Sequence, residues 1–462
     1  MSKSIRARTF IMDSTENICV LGLGHVGLTL SLVMAEKGFK VFGFDTNKKV
    51  IEDTKACHCD FYEKDISAYL NRYSNKQLFA TSDLSEVEAS VYIITVGTPI
   101  NLETNIPRIN YIEQASRSIG SKIKKGDTVI LRSTVPVGTT RNVVAPILSE
   151  VSGLTCGEEY SLAYAPERTI EGEALAEIKE LPQVIGGFDQ KSREIAEKIF
   201  KKITGGLIND VGQLENAEMV KIMNNTFRDV KFAYSNELAL ICKDLGLDMV
   251  KLVKAANLGY TRDKIPVPSP GVGGACLSKD SYILAYSTKD SGHQASLVLQ
   301  AREVNESIPT DISNTIKQDL ASAGKDISKA KIFIVGFAFK GSPETSDIRQ
   351  STTLDLLDNL IELGASHSNI SGFDPVVSRD AIEDLSIEYL SYEEGFDQAD
   401  AVLFMNNHKS YSGLDIFHLL SLAKDDLIIF DGWHMFEPED ITSLKSIKYL
   451  GVGCSYQPDN NE

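Results

Sequence analysis

The sequence holds one tryptophan, seven cysteines and no apolar run of about 18 residues. That last absence leaves no segment able to cross a membrane as a helix. The cysteines are odd in number and scattered through 462 residues, which excludes a disulfide framework and predicts reduced thiols in a cytoplasmic protein. Ligating side chains crowd together only at Cys57–His58–Cys59. Their spacing is tighter than a zinc pair and no second pair follows, so no metal is expected. Positive charge is scarce as well: 47 Lys and Arg against 64 Asp and Glu leave a net charge of −17. This excludes nucleic acid and anionic membrane surfaces as partners. The opening, MSKSIRARTFIMDSTE, is basic but lacks the apolar stretch and cleavage site of a secretory signal, and reads as a flexible lead-in over residues 1–14.

What is present begins with NICVLGLGHVGLTLSLVMAEKGFKVFGFD, a strand, glycine turn, helix and strand. Gly22, Gly24 and Gly27 form G-x-G-x-x-G between a β-branched run and an apolar-periodic helix, and Asp45 closes the second strand. Glycines there let the backbone approach a pyrophosphate seated on the helix N-terminus. Asp45 is expected to accept from the adenosine ribose and to repel a 2′-phosphate, selecting NAD over NADP. Strands at SVYIITVGTP, DTVILRSTVPVGTT, SLAYAPE and QVIGG alternate with helices, which predicts a doubly wound parallel sheet. Thr98, Ser133, Thr134 and Glu167 fall at the carboxyl ends of its strands, where ligands collect.

Strand signals fade from about 212 to 325, where long helical periodicities suggest packing against a second chain, and a dimer is expected. They return at Lys331 with KIFIVGFAFKG, NISGFDP, ADAVLFMNN and DLIIFDGW, a second sheet without the glycine fingerprint. The fold class predicted is α/β, with two Rossmann-like doubly wound sheets joined by a central helical domain containing a long helix. The boundaries are a nucleotide domain over 15–211, the helical domain over 212–328, the second sheet over 329–456 and a disordered tail over 457–462.

Four groups of residues carry chemistry. In PGVGGACLSKD, Cys276 lies between three glycines and a predicted helix that opens with Lys279 and Asp280. A helix N-terminus and a cation favour thiolate, and an inert thiol at a loop–helix junction is the alternative. Lys221, Asn225 and Arg228 share one helical stripe beside an apolar stripe of Val220, Met223 and Phe227, which is expected to be buried. Ammonium and carboxamide suit an oxyanion, whereas the alternative is a solvated helix edge. In APERTIEGEAL, Glu167 and Glu171 are either base candidates or helix-start acids. Lys340 and Arg349, after the first strand of the last sheet, suit a phosphate or an ordinary surface loop.

Together GLGHVG, STVPVGT, PER…EG, AEMVK…N…NE, PGVGGACLSKD and GFAFK…DIR resemble the nucleotide-sugar 6-dehydrogenases over nearly the whole chain. The resemblance implies NAD-dependent oxidation of a sugar C6 alcohol to a carboxylate, through thiohemiacetal and thioester stages, for surface-polysaccharide precursors. It makes Cys276 the nucleophile and Lys221 and Asn225 the oxyanion partners. Asp280 would orient Lys221 and a water, Glu167 would assist hydrolysis, and Thr134 would hold a water or the nicotinamide end. It assigns NAD to His25, Val26, Asp45, Thr98, Thr134, Glu171, Lys279 and Arg349. It assigns the UDP-sugar to Arg168, Thr169, Lys221, Asn225, Arg228, Gly273, Phe339 and Lys340, with Arg262 reaching over from a partner subunit. NNTFRDVKFAYSNEL resembles the branch acting on UDP-N-acetylmannosamine and PER the acetamido-sugar enzymes in general, so UDP-N-acetylmannosamine is favoured over UDP-N-acetylglucosamine. Two features depart from that branch: Ala275 stands where it sets a histidine, and LSKD is closer to the UDP-glucose enzymes; separately, FDGWH lacks the arginine often found after the aspartate, which implies one UDP contact fewer. UDP-glucose is therefore the alternative substrate. A β-hydroxyacid dehydrogenase, which performs one hydride transfer without cysteine, is the more remote alternative.

Overall fold

Val- and Ile-rich runs form the first sheet because helices cover both of its faces. The computed structural model describes residues 17–443 and 446–456, so the expected lead-in and tail lie outside the described residues. The strands are β1 (Asn17–Leu21), β2 (Lys40–Phe44), β3 (Leu78–Thr81), β4 (Val91–Ile94), β5 (Thr128–Leu131), β6 (Ser161–Tyr164), β7 (Gln183–Gly187) and β8 (Ile208–Gln213). They lie in the order β3-β2-β1-β4-β5-β6-β7-β8. Side chains alternate between two cores: Ile18, Val20, Val91 and Ile93 on one face, Cys19, Leu21, Tyr92 and Ile94 on the other.

The sheet departs from the expected parallel pattern at one place, where β7 runs antiparallel to β6. The connection spends residues 165–173 on the loop carrying Glu167, Arg168, Thr169 and Glu171, and its helix, Ala174–Glu180, has 7 residues. That helix is too short to return the chain to the far end of the sheet. The edge strand β8 carries no apolar run and its residues are largely exposed, so periodicity did not reveal it.

Behind β8 a helix runs for 31 residues, Leu214–Asp244, and the chain divides into two units within it, between Lys221 and Ile222. The second unit continues with helices Met249–Asn257, Leu277–Ser287 and Ser296–Ser322. Its sheet comprises β9 (Ile332–Val335), β10 (Ile370–Phe373), β11 (Glu388–Tyr389), β12 (Ala401–Phe404), β13 (Ile428–Asp431), β14 (Lys448–Gly451) and β15 (Cys454–Tyr456). The order β11-β10-β9-β12-β13-β14-β15 repeats the winding of the first sheet, with β15 turned antiparallel at the edge. The turn after β9 repeats too. Gly336 has φ +97° and donates to the Phe373 carbonyl at 2.8 Å, as Gly22, at φ +95°, donates to the Phe44 carbonyl at 2.8 Å.

The long helix corrects one expectation. Met223 and Phe227 are 56% and 66% exposed, so their stripe is not buried by this chain. The face that is buried carries Ile222, Thr226, Asp229, Ala233, Asn236 and Ala239, a mixture of small and polar residues. Apolar periodicity found a stripe but not the surface that would cover it.

Candidate active site

In the first unit the glycine turn is built by close approach. A Cβ on Gly27 would stand 1.8 Å from the Gly22 carbonyl oxygen, and Thr95 Oγ1 donates within 2.8 Å of both the Leu21 and Gly22 carbonyls. Around Gly24, by contrast, a Cβ would meet nothing within 4 Å, and the helix His25–Glu36 behind it has no side-chain cap. Open backbone N–H groups at a helix start suit a pyrophosphate. Asp45 accepts from Leu23 N at 2.7 Å through one oxygen and from Asn47 N at 2.8 Å through the other, which fixes the carboxylate at the strand end and leaves it acceptor capacity. Thr98 is buried and its Oγ1 has no hydrogen-bond partner in the fold. An orphaned hydroxyl in the loop after β4, the strand paired with β1, fits a dinucleotide. Ser133 Oγ, at 2.6 Å from the Val96 carbonyl, ties the β5 loop to the β4 loop, and Thr134 follows half-buried.

His25 meets the buried Glu63 at 3.1 Å, and Glu63 also accepts from Gly172 N at 2.9 Å and Leu175 N at 3.1 Å. This carboxylate, which the sequence did not single out, ties the turn with His25 and Val26 to the loop with Glu171. In that loop the Thr169 N–H donates to Glu167, and the exposed Arg168 reaches the Pro182 carbonyl at 3.4 Å. Glu167 Oε2 lies 3.9 Å from Lys221 Nζ. Burial alone would raise the Glu167 carboxyl, but Lys221, Arg132 and the Thr169 N–H outweigh it and hold the group below the usual carboxylate range. Arg132 is buried under the loop and donates to the Ala165 and Pro166 carbonyls at 3.0 and 3.3 Å. It was missed because an arginine at a strand end carries no signature of its own.

In the second unit Cys276 is the N-cap of the 11-residue helix Leu277–Ser287, and it is exposed. Lys279 Nζ donates to Asp280 Oδ1 at 2.7 Å, and Asn225 Nδ2 to Asp280 Oδ2 at 2.6 Å. Burial pushes the Lys279 ammonium down, but Asp280 and Cys276 beside it raise it above its ordinary value. A thiol on a helix N-terminus beside a fixed ammonium has the surroundings that favour thiolate. The glycine loop before it packs tightly: a Cβ on Gly273 would lie 2.4 Å from the Gln350 carbonyl oxygen, and one on Gly274 2.6 Å from the Phe339 ring. Lys340 stands 5.6 Å from that ring. Arg349 is forked onto Asp347 at 2.6 to 3.0 Å. Arg228 lines a cavity of ≈ 260 Å³ with Phe227, Lys231, Phe232 and Pro266, and Arg262 is exposed with its guanidinium 5.1 Å from the Tyr260 ring.

Three profiles of one family match the chain in succession. The NAD-binding domain of the UDP-glucose/GDP-mannose dehydrogenase family matches residues 16–204, its central domain 215–307 and its UDP-binding domain 333–438. A UDP-N-acetyl-D-mannosamine dehydrogenase of Campylobacter jejuni is 32% identical over 409 residues, 87% of this chain and 97% of that protein. The structure of a UDP-D-ManNAc dehydrogenase from Pyrococcus horikoshii superposes with a TM-score of 0.84 at 29% identity, covering 95% of this chain and 99% of that one. A UDP-glucose dehydrogenase from the archaeon Pyrobaculum islandicum gives 0.81 at 26%, covering 95% and 98%.

Proposed function

The chain belongs to the UDP-glucose/GDP-mannose dehydrogenase family, an NAD-binding oxidoreductase of nucleotide sugars, and on that premise we propose that it oxidises C6 of a UDP-N-acetylhexosamine to the uronic acid. UDP-N-acetyl-D-mannosamine is the favoured substrate, ahead of UDP-N-acetyl-D-glucosamine. The observation that carries the reading is Cys276, exposed at the open end of its helix with Lys279 and Asp280 in the first turn. The mannosamine preference is supported by the Campylobacter jejuni and Pyrococcus horikoshii relatives named above and by the NNTFRDV stretch of the long helix.

NAD+ supplies a hydride acceptor for each of two oxidations. The residues of the chain do the rest. Lys221 takes the C6 hydroxyl proton, and with Asn225 it stabilises the oxyanions at C6. Cys276 adds to the aldehyde as thiolate, and the resulting thiohemiacetal is oxidised to a thioester, which water then cleaves. Glu167, held ionised, is present as the carboxylate that a general base for this water requires. Asp280 orients Lys221 and a water, and it also holds Asn225 and Lys279 through the bonds described. Arg168, Thr169, Arg228, Gly273, Phe339 and Lys340 serve the UDP-sugar, with Arg262 offered to the site of a partner subunit. Glu171 and Arg349 serve NAD. The net change consumes one alcohol, two NAD+ and one water and yields one carboxylate, two NADH and three protons.

A dimer is part of the reading, because the exposed Met223, Phe227, Tyr234 and Ile241 form an apolar stripe that is costly in water. UDP-glucose is the second reading, favoured by Ala275 and by the LSKD ending of the cysteine motif. NADH release measured over UDP-N-acetylmannosamine, UDP-N-acetylglucosamine, UDP-N-acetylgalactosamine and UDP-glucose decides between them. The first is expected to give the highest kcat/KM and two NADH per sugar. Turnover of UDP-glucose alone would replace the substrate, and one NADH per sugar would replace the mechanism.

A further inference from the structure

We infer that a buried polar ring formed by Asp229, Asn236, Ser269, Ser281, Arg302 and Asn305 is a positioning device for Cys276, an inference that rests on the thioester reading above. The six residues come from the long helix, the glycine loop, the cysteine helix and the helix Ser296–Ser322, and all are buried. Arg302 Nη1 donates to Asp229 Oδ1 at 3.0 Å, and its Nη2 donates to the Val272 carbonyl at 2.8 Å, four residues before the cysteine. The other oxygen of Asp229 accepts from Ser281 Oγ at 2.9 Å, five residues after it. Asn305 Nδ2 donates to Asp229 Oδ1 at 2.8 Å, and Asn305 Oδ1 accepts from Asn236 Nδ2 at 2.9 Å. Asn236 Oδ1 in turn accepts from Ser269 N at 2.9 Å. The segment from Ser269 to Ser281, with the sulfur in its middle, is thus gripped before and after Cys276.

The grip answers a physical need. Gly271, Gly273 and Gly274 give the loop the close approach it requires, yet glycines cannot hold a conformation by themselves. Addition to an aldehyde needs the sulfur within a fraction of an ångström of its attack position. A buried ion pair stabilises a fold no better than apolar residues of similar size, so a densely hydrogen-bonded ring around one loop is expected where a single geometry is required. Asn225, which bonds Asp280, belongs to the site itself and lies outside the ring.

The test compares Ser281→Ala and Asp229→Asn with the parent enzyme, using the full chain, NAD+ and UDP-N-acetyl-D-mannosamine. Misplacing the sulfur is expected to lower kcat about 100-fold. KM for the sugar should stay within about threefold, since of the groups assigned to it only Gly273 lies in the gripped segment. Aldehyde should escape before sulfur adds, so that fewer than two NADH form per sugar consumed. Alkylation of Cys276 by iodoacetamide, followed by peptide mass without any cofactor, should slow about fivefold or more. Circular dichroism and the unfolding midpoint identify folded variants. Should Asp229→Asn fail to fold, Ser281→Ala decides, because it keeps the Asp229–Arg302 pair. Folded variants with the parent's kcat, NADH ratio and alkylation rate overturn the inference, as does a fall in kcat with unchanged alkylation. A parent enzyme yielding one NADH per sugar overturns the thioester reading instead, and the alkylation rate then decides the positioning claim alone.

Discussion

Asp45 and Glu218 are both carboxylates held by backbone N–H groups, and their surroundings give them opposite tasks. Asp45 stands at the end of β2 with acceptor capacity left over, facing the open glycine turn. Replacing Asp45→Ala should remove a charge-assisted bond to ribose, so the kcat/KM ratio of NAD to NADP is expected to fall about 10- to 100-fold. An unchanged ratio would remove the ribose contact from the account. Glu218 is completely buried and accepts from Gly138 N, Thr140 N and Thr140 Oγ1. Burial pushes its carboxyl from 4.5 up to about 7 despite those three donors. The folded state therefore keeps a proton between roughly pH 4.5 and 7 that the unfolded chain has released, and stability falls as pH rises through this window, by about 3 kcal/mol. Glu218→Gln should flatten the fall in unfolding midpoint between pH 5 and 8, measured by calorimetry. Parallel slopes for parent and variant would refute the assignment. Asp45 was legible because its spacing from the glycines is a signature. Glu218 was not, because Glu215 and Glu218 look alike in LENAEMVK, and only folding brings Gly138 and Thr140 to one of them.

Among the elements, the glycine turn and the long helix show what periodicity can and cannot reveal. The turn was readable because Gly27 admits no side chain at all, a restriction that leaves its mark directly in sequence. The helix was readable in length but not in orientation, since a stripe of Met223, Phe227, Tyr234 and Ile241 looks the same whether its own chain or another covers it. The proposed dimer supplies the cover. Burying a phenylalanine is worth about 1.5–3 kcal/mol, and placing a charge there reverses the sign. Phe227→Glu is expected to convert the dimer to monomer at micromolar concentration in sedimentation velocity, and a parent that sediments as a monomer would exclude the dimer. The edge strands β8 and β15 escaped notice because their residues are largely only partly buried, which weakens the apolar pattern, and β14, inside the sheet with Tyr449 and Leu450 buried, because four residues are too few to show one.

Across the whole molecule, two sheets wound in the same order flank a helical stretch of sequence, and the motifs that announced this plan were local ones. Residues that support the site from a distance were silent: Arg132 beneath Glu167, Glu63 beneath His25, and Arg302, which lies 73 positions from Asp229. Such side chains acquire their roles only when separate segments meet, so no spacing rule exposes them. The cysteine motif, by contrast, carries its glycines, thiol, lysine and aspartate within eleven consecutive residues, 270–280. The central claim is that the Cys276 sulfur holds the sugar carbon through the second oxidation, first as thiohemiacetal and then as thioester. The measurement that tests it most directly is product analysis of Cys276→Ser with UDP-N-acetyl-D-mannosamine and NAD+, alongside the affinity of the variant for the sugar nucleotide. The account predicts intact binding, no uronic acid and no more than one NADH per sugar. Full carboxylate production with two NADH per sugar would contradict it.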